Sequence, residues 1–260
     1  MIARKRFGQH FLEPAWVVKV ANAIAPAPDD DFIEIGPGRG ALTTPLTEKA
    51  RSVTAFEIDR DLAAALRASA PPNLTVVPGD FLESDWLLKN RPGHPVRVAG
   101  NLPYNVASPI LFRLIDIFDS GIPLTDATLM LQREVADRLL AKPSTKEFGV
   151  LSVLVRISAS VERLLNIPAG AFRPVPKVQS TLLRLRFHAP DPRPRDREVF
   201  SRMVQAIFTR RRKTLENALL AFRPADRPGI GAALTRAGIV GTRRPETLDI
   251  PEFVRLSDAF

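Results

Sequence analysis

The chain has no cysteine in its 260 residues. That excludes disulfides, Cys-ligated zinc and a thiol nucleophile; no metal site is expected, and the composition suits the cytosol. No apolar run approaches the ~18 residues a membrane span requires, so none is expected. The start, Met1 to Phe7, has no apolar stretch behind its charges, so it is not expected to be a secretory leader. There is no internal repeat and no low-complexity tract. Acidic residues are short, 28 against 37 Lys and Arg, which leaves a net charge of +9. A soluble protein this basic meets a polyanion, nucleic acid before membrane. Of the basic residues 29 are Arg, a side chain suited to phosphate forks and base stacking.

At 45% hydrophobic and 25% charged the chain is ordinary for a globular protein, long enough for one large domain with a smaller one. Arg4 to Leu12 form a basic arm. Pro14 to Ala25 is apolar at helical spacing. Strand-like runs at 31–35, 53–56, 74–77, 96–99 and 128–131 alternate with helical runs at 42–49, 62–68, 109–118 and 134–140. That alternation predicts an α/β parallel sheet covered on both faces. Ser108 is expected as the cap of the 109–118 helix, with Pro109 first inside it. A further strand is expected at 180–187. The Pro-rich charged segment 189–197 reads as a linker between a domain of residues 1–188 and a small helical domain of residues 198–260.

Three loops leave successive strands. Gly36-Pro37-Gly38-Arg39-Gly40 resembles a dinucleotide fingerprint, but Pro37 stands where a phosphate cradle would present N–H groups. Glu57, ending the second strand, suits two ribose hydroxyls, and Asp80, ending the third, can accept from an adenine amine. Ribose and adenine recognition without a phosphate cradle points to S-adenosylmethionine rather than NAD. The fourth strand feeds Gly100-Asn101-Leu102-Pro103-Tyr104-Asn105, an amide, a rigid Pro and an aromatic ring within four residues. An exocyclic aromatic amine is a poor nucleophile because its lone pair is delocalised. The Asn101 oxygen and the Leu102 carbonyl, held by Pro103, can accept its two N–H groups and free that lone pair, while Tyr104 stacks on the base. Taken alone, the tetrapeptide is also compatible with an ordinary turn.

With these motifs in order, the chain closely resembles the ribosomal RNA small subunit adenine dimethyltransferases, the KsgA/RsmA family. The resemblance rests on FGQHFL (7–12), EIGPGRGALT (34–43), FEID (56–59), GDFL (79–82), NLPYN (101–105), LQREVADRL (131–139), FRPVPKVQS (172–180) and TRRRKTLENAL (209–219). It implies a class I methyltransferase, Rossmann-like fold of seven strands, the last antiparallel, with a C-terminal helical domain. It implies methyl transfer from S-adenosylmethionine to two adjacent adenosines near the 3′ end of 16S rRNA in the 30S subunit, giving N6,N6-dimethyladenosine, by a cytoplasmic monomer that also serves subunit maturation. By the same resemblance His10, Leu12, Gly36, Gly38, Glu57, Ile58, Asp80, Phe81 and Asn101 contact the donor, and Phe172 stacks on the base opposite Tyr104. The family often has Asn where this chain has His10.

Arg4, Lys5 and Arg6 of the arm, with Arg211 and Lys213 of the tail, are the expected RNA contacts. The run Thr209 to Thr214 is read as helical, where four successive charges would surround the helix and could not all face one partner. Two other readings stand beside the main one: an Erm-type methyltransferase of 23S rRNA, which shares the catalytic loop, and an assembly factor that uses the fold only for docking. The TRRRKTLENAL segment favours the small-subunit type, and intact Asn101, Tyr104, Glu57 and Asp80 argue against docking alone.

Overall fold

A computed structural model describes residues 10–103 and 105–260. In chain order the elements are β1 (Phe11–Leu12), α1 (Pro14–Ile24), β2 (Asp31–Ile35), α2 (Thr43–Thr47), β3 (Ser52–Glu57), α3 (Arg60–Ala68), β4 (Leu74–Pro78), α4 (Trp86–Lys89), β5 (Val96–Asn101), α5 (Ala107–Asp119), β6 (Leu124–Gln132), α6 (Arg133–Leu140), α7 (Val150–Arg156), β7 (Ala159–Ile167), β8 (Phe172–Arg173), β9 (Ser180–Phe187), α8 (Arg197–Phe208), α9 (Leu215–Leu219), α10 (Arg227–Ala237) and α11 (Ile250–Ser257). They fall into two compact units, one of Met1–Ala136 with Val161–Phe187, the other of Asp137–Ser160 with His188–Phe260. The boundary expected at 189–197 is thus one of several crossings. Residues 137–160 belong with the helical unit, because α7 and Phe148 are buried there, Phe148 against Phe208 of α8 at 6.3 Å between ring centroids.

In the first unit the sheet order is β4-β3-β2-β5-β6-β9-β7. Pairs β4-β3, β3-β2, β2-β5 and β5-β6 are parallel, and β9 runs antiparallel to β6. The expected seven strands are present. The order reverses between β2 and β5, which opens a crevice at their carboxyl ends. Their register pairs Ile35 with Gly100, so the glycine loop and the Asn101 loop start side by side. Gly100 has no alternative there: a Cβ on it would lie 2.7 Å from the Ile35 carbonyl oxygen. The core below is Phe32, Leu46, Val53, Ala99, Met130, Leu182 and their neighbours, all under a tenth exposed.

Helix α1 is fastened at its C-terminal end by two arginines. Arg97 of β5 donates to the Ile24 and Ala25 carbonyls at 2.8 and 3.0 Å, and Arg184 of β9 to Ala23 at 2.7 Å. Cations there complete unpaired carbonyls and oppose the negative end of the helix dipole. Both arginines are held in turn by Asp126, and Arg97 also by Asp30.

Two local expectations need correction. Ser108 does not cap α5; the helix starts at Ala107 behind Val106, and Ser108 and Pro109 are inside its first turn, where the missing proline N–H costs nothing. The run 209–214 is not helical. Helix α8 stops at Phe208 and the chain turns until Thr214, the cap position of α9.

Candidate active site

Within the first unit a cavity opens at the sheet's switch point. Its wall combines the arm (His10, Phe11, Leu12), the glycine loop (Gly36 to Arg39, then Ala41 and Leu42), Glu34, Glu57, Ile58 and the segment Asn101 to Pro103. Of the expected donor-binding residues, His10, Leu12, Gly36, Gly38, Glu57, Ile58 and Asn101 therefore converge. Gly36 and Gly38 both have left-handed φ values, 68° and 60°, so the loop can curl without strain.

Glu57 is 4% exposed. One carboxylate oxygen accepts from the Gly38 N–H at 2.9 Å and the other from the Asp59 N–H at 2.8 Å. Each oxygen keeps a lone pair for a hydroxyl donor. Burial pushes its pKa up, and the backbone donors oppose that. Asp80 lies in the turn after β4, its carboxylate accepting from the Leu82 N–H at 2.9 Å; it does not line the cavity. Phe81 is buried against Phe56 with ring centroids 5.3 Å apart and supports the β3 end rather than the cavity wall.

The residue whose role was missed is Glu34. It is 1% exposed, lines the cavity, and its Oε2 has no hydrogen-bond partner among the described residues. Burial raises its pKa to about 7, with the Glu57 charge adding to the rise and Thr43 opposing it. The signal was present in the sequence: a carboxylate between Ile33 and Ile35, in the apolar part of the strand Asp31–Ile35, is costly unless something uses it. Two buried carboxylates, one of them with an oxygen that has no partner among the described residues, fit a cationic ligand that also carries hydroxyl donors. S-adenosylmethionine is such a molecule, and Glu34, Glu57 and the glycine loop would hold it.

Asn101 ends β5 at the cavity. Its amide nitrogen donates to the His10 carbonyl at 3.0 Å, and its Oδ1 accepts no hydrogen bond from the described residues. The Leu102 N–H is spent on Met130, while the Leu102 carbonyl is unused by the described residues. Two adjacent residues that line the cavity thus each keep an oxygen that accepts nothing from the described residues. Tyr104 lies outside the described residues. Phe172 is 1% exposed, packed in the core with Leu12 and Leu182, so it is not presented to a base. Its register partner in the two-stranded sheet is Leu12, itself part of that core.

In the second unit the turn after α8 curls around an open concavity lined by Arg210, Arg211, Arg212, Lys213 and Arg227. Because the segment is a turn, these cations do share one face. Arg211 is engaged inside the unit: it donates to the Lys146 and Thr145 carbonyls and lies 3.9 Å from Glu246. The Arg212 and Lys213 side chains are exposed and make no hydrogen bond or ion pair with described residues. Arg4, Lys5 and Arg6 lie outside the described residues.

Sheet order, glycine loop and acceptor pair together define a class I methyltransferase. Comparison narrows this further. The family model for ribosomal RNA adenine dimethylase matches residues 2–252. A ribosomal RNA small subunit methyltransferase A of Acinetobacter baylyi is 44% identical over 98% of this chain and 92% of its own. A dimethyladenosine transferase from Plasmodium falciparum superimposes with TM-score 0.78 at 25% identity, covering 95% of this chain and 96% of that one. The 23S rRNA methyltransferase ErmE gives TM-score 0.67 at 30% identity, covering 96% and 98%. The chain belongs to the ribosomal RNA adenine dimethylase family and is an rRNA adenine methyltransferase.

Proposed function

We propose that the protein transfers methyl groups from S-adenosylmethionine to the N6 amines of two adjacent adenosines near the 3′ end of 16S rRNA, in the small ribosomal subunit, giving N6,N6-dimethyladenosine. The observation that carries this reading is Asn101, which lines the carboxylate-bearing cavity and whose amide nitrogen is tied to His10, leaving the oxygen without a partner among the described residues. The chain is 44% identical to a small subunit methyltransferase A over 98% of its length, and the dimethyladenosine transferase superimposes on it better than ErmE does, TM-score 0.78 against 0.67, which supports the small subunit over the large one. By the same reading it acts in the cytoplasm as a monomer; among the described residues no helix is long and apolar enough to cross a membrane.

When bound, the donor supplies an electrophilic methyl on a sulfonium. Glu57 would accept its ribose hydroxyls, and the Glu34 and Glu57 carboxylates would compensate its positive charge. Asn101 Oδ1 and the Leu102 carbonyl would accept the two N–H groups of the target amine, drawing the nitrogen lone pair out of the ring. Positioning of this kind replaces a strong base, since the amine becomes acidic once methylated. The target base has to leave its stack, which single-stranded RNA permits at small cost. Tyr104 would be its platform, a contact worth about 1–3 kcal/mol. Arg212 and Lys213, with the arm's Arg4, Lys5 and Arg6, would hold phosphates.

The test uses labelled S-adenosylmethionine with undermethylated small subunits, large subunits and naked 16S rRNA. Label is expected in small-subunit RNA as N6,N6-dimethyladenosine at two neighbouring positions. Label in 23S rRNA alone would support the Erm-type reading, and tight subunit binding without transfer would leave only a docking role.

A further inference from the structure

The arm residues 10–12 touch both loops of the site. The Phe11 ring lies under the Arg39 guanidinium, 4.1 Å from its carbon to the ring centroid, and a Cβ on Gly38 would meet the same ring at 3.4 Å. One residue earlier the His10 carbonyl takes the Asn101 amide. The arm is itself fastened to the segment 171–174: Phe11 pairs with Arg173 and Leu12 with Phe172, the Glu13 N–H donates to Ala171 at 2.9 Å, and Arg173 lies 3.1 Å from the Glu13 carboxylate. The His10 ring completes the set, its Nδ1–H donating to the Pro174 carbonyl at 2.7 Å.

A carboxamide can present either its oxygen or its NH2 to a ligand. The choice decides the chemistry, because an aromatic amine brings donors and needs acceptors. A backbone carbonyl can only accept, so its position dictates which end of Asn101 turns away from the substrate. We propose that His10 is a positioning residue for methyl transfer: its ring, anchored on Pro174, holds the His10 carbonyl where it fixes the Asn101 amide with Oδ1 toward the target amine. The inference rests on the role given to Asn101 above. It also makes the arm a mechanical link, since the Phe11 contact with Gly38 and Arg39 joins the donor loop to the orientation of Asn101.

Single-turnover methylation at saturating donor and RNA tests it with four variants: His10→Ala, His10→Asn, Asn101→Ala and His10→Ala/Asn101→Ala. His10→Ala is expected to lower the rate constant about tenfold even at saturating donor, whatever it does to donor Kd. His10→Asn, whose carboxamide can still donate to Pro174, should recover most of the rate. The double variant should be no slower than Asn101→Ala, because an amide that is absent cannot be misoriented. If His10→Ala slows the Asn101→Ala background by the same factor as the wild type, or acts on donor Kd alone, the positioning role is wrong while that of Asn101 survives. Normal turnover in Asn101→Ala would remove both.

Discussion

Glu57 and Gly38 are joined by a hydrogen bond of 2.9 Å from the glycine N–H to the carboxylate, so the acid that ends β3 holds the loop after β2 in shape. Removing that carboxylate does two things together: it takes away hydroxyl acceptors and it releases the loop. Glu57→Ala is expected to weaken S-adenosylmethionine binding tenfold or more, about 1.4 kcal/mol. Titration calorimetry on the folded variant checks this; an unchanged Kd would take Glu57 out of the site.

Asn101→Ala should cost turnover on the order of 10²–10³, the usual loss for one preorganised polar group. Small-subunit affinity should hold, since Asn101 would meet only the target amine. Rates and binding measured on the same preparation separate the two effects.

Glu34 supplies a pH signature. Its folded pKa, about 7, stands above the ordinary carboxylate value of 4.5, so the native state binds more protons than the unfolded chain between these pH values. Its contribution therefore destabilises the empty protein progressively as pH rises from 4.5 to 7, by about 3 kcal/mol in all from a shift of this size. Glu34→Gln should flatten that part of the Tm-versus-pH curve. It should also weaken a cationic donor most at pH 8, where wild-type Glu34 is charged. A variant whose melting curve keeps the wild-type pH slope would show that another group is responsible.

Gly100→Ala forces a Cβ to 2.7 Å from the Ile35 carbonyl. Backbone cannot yield there without parting β2 from β5, and overpacking of this kind costs roughly 1–3 kcal/mol. Denaturant titration should show the loss, and methyl transfer should fall further than stability does, because Asn101 is the next residue. Full activity in a stable variant would mean that the loop tolerates displacement.

The tail cations should divide. Arg212→Ala with Lys213→Ala is expected to weaken small-subunit binding and to reduce its salt slope by roughly one unit per lost contact. Arg211→Ala should instead lower Tm, since its guanidinium is spent on the Thr145 and Lys146 carbonyls. Donor affinity should be untouched in both. Salt titrations that show an unaltered slope for Arg212 and Lys213 would turn the search to the N-terminal arm.

Much of the sheet was legible because its strands are apolar runs bounded by Gly, Pro or acids; Asp31–Ile35 and Ser180–Phe187 match their expected spans. The segment 150–167 was not. Val150–Arg156 is as rich in β-branched residues as a strand, and no Gly or Pro separates it from Ala159–Ile167, so nothing local marks the change from helix to strand. The loops of the site could be placed from strand ends alone. What the sequence could not display was tertiary: that Phe172 turns into the core, that Arg211 is consumed by its own unit, and that the two-residue strand Phe11–Leu12 closes on Phe172–Arg173.

The helical unit draws on two separate lengths of chain, 137–160 and 188–260. A stop codon placed near residue 188 would therefore not deliver a clean catalytic fragment. It would strand the earlier segment, with the fully buried Phe148 and the buried face of α7 left wet, and such surface invites aggregation. The same order applies on the ribosome: residues 137–160 emerge first and must wait for residues 188–260 before their partners exist. A nascent chain of this protein thus carries an unsatisfied helix until that later segment has emerged.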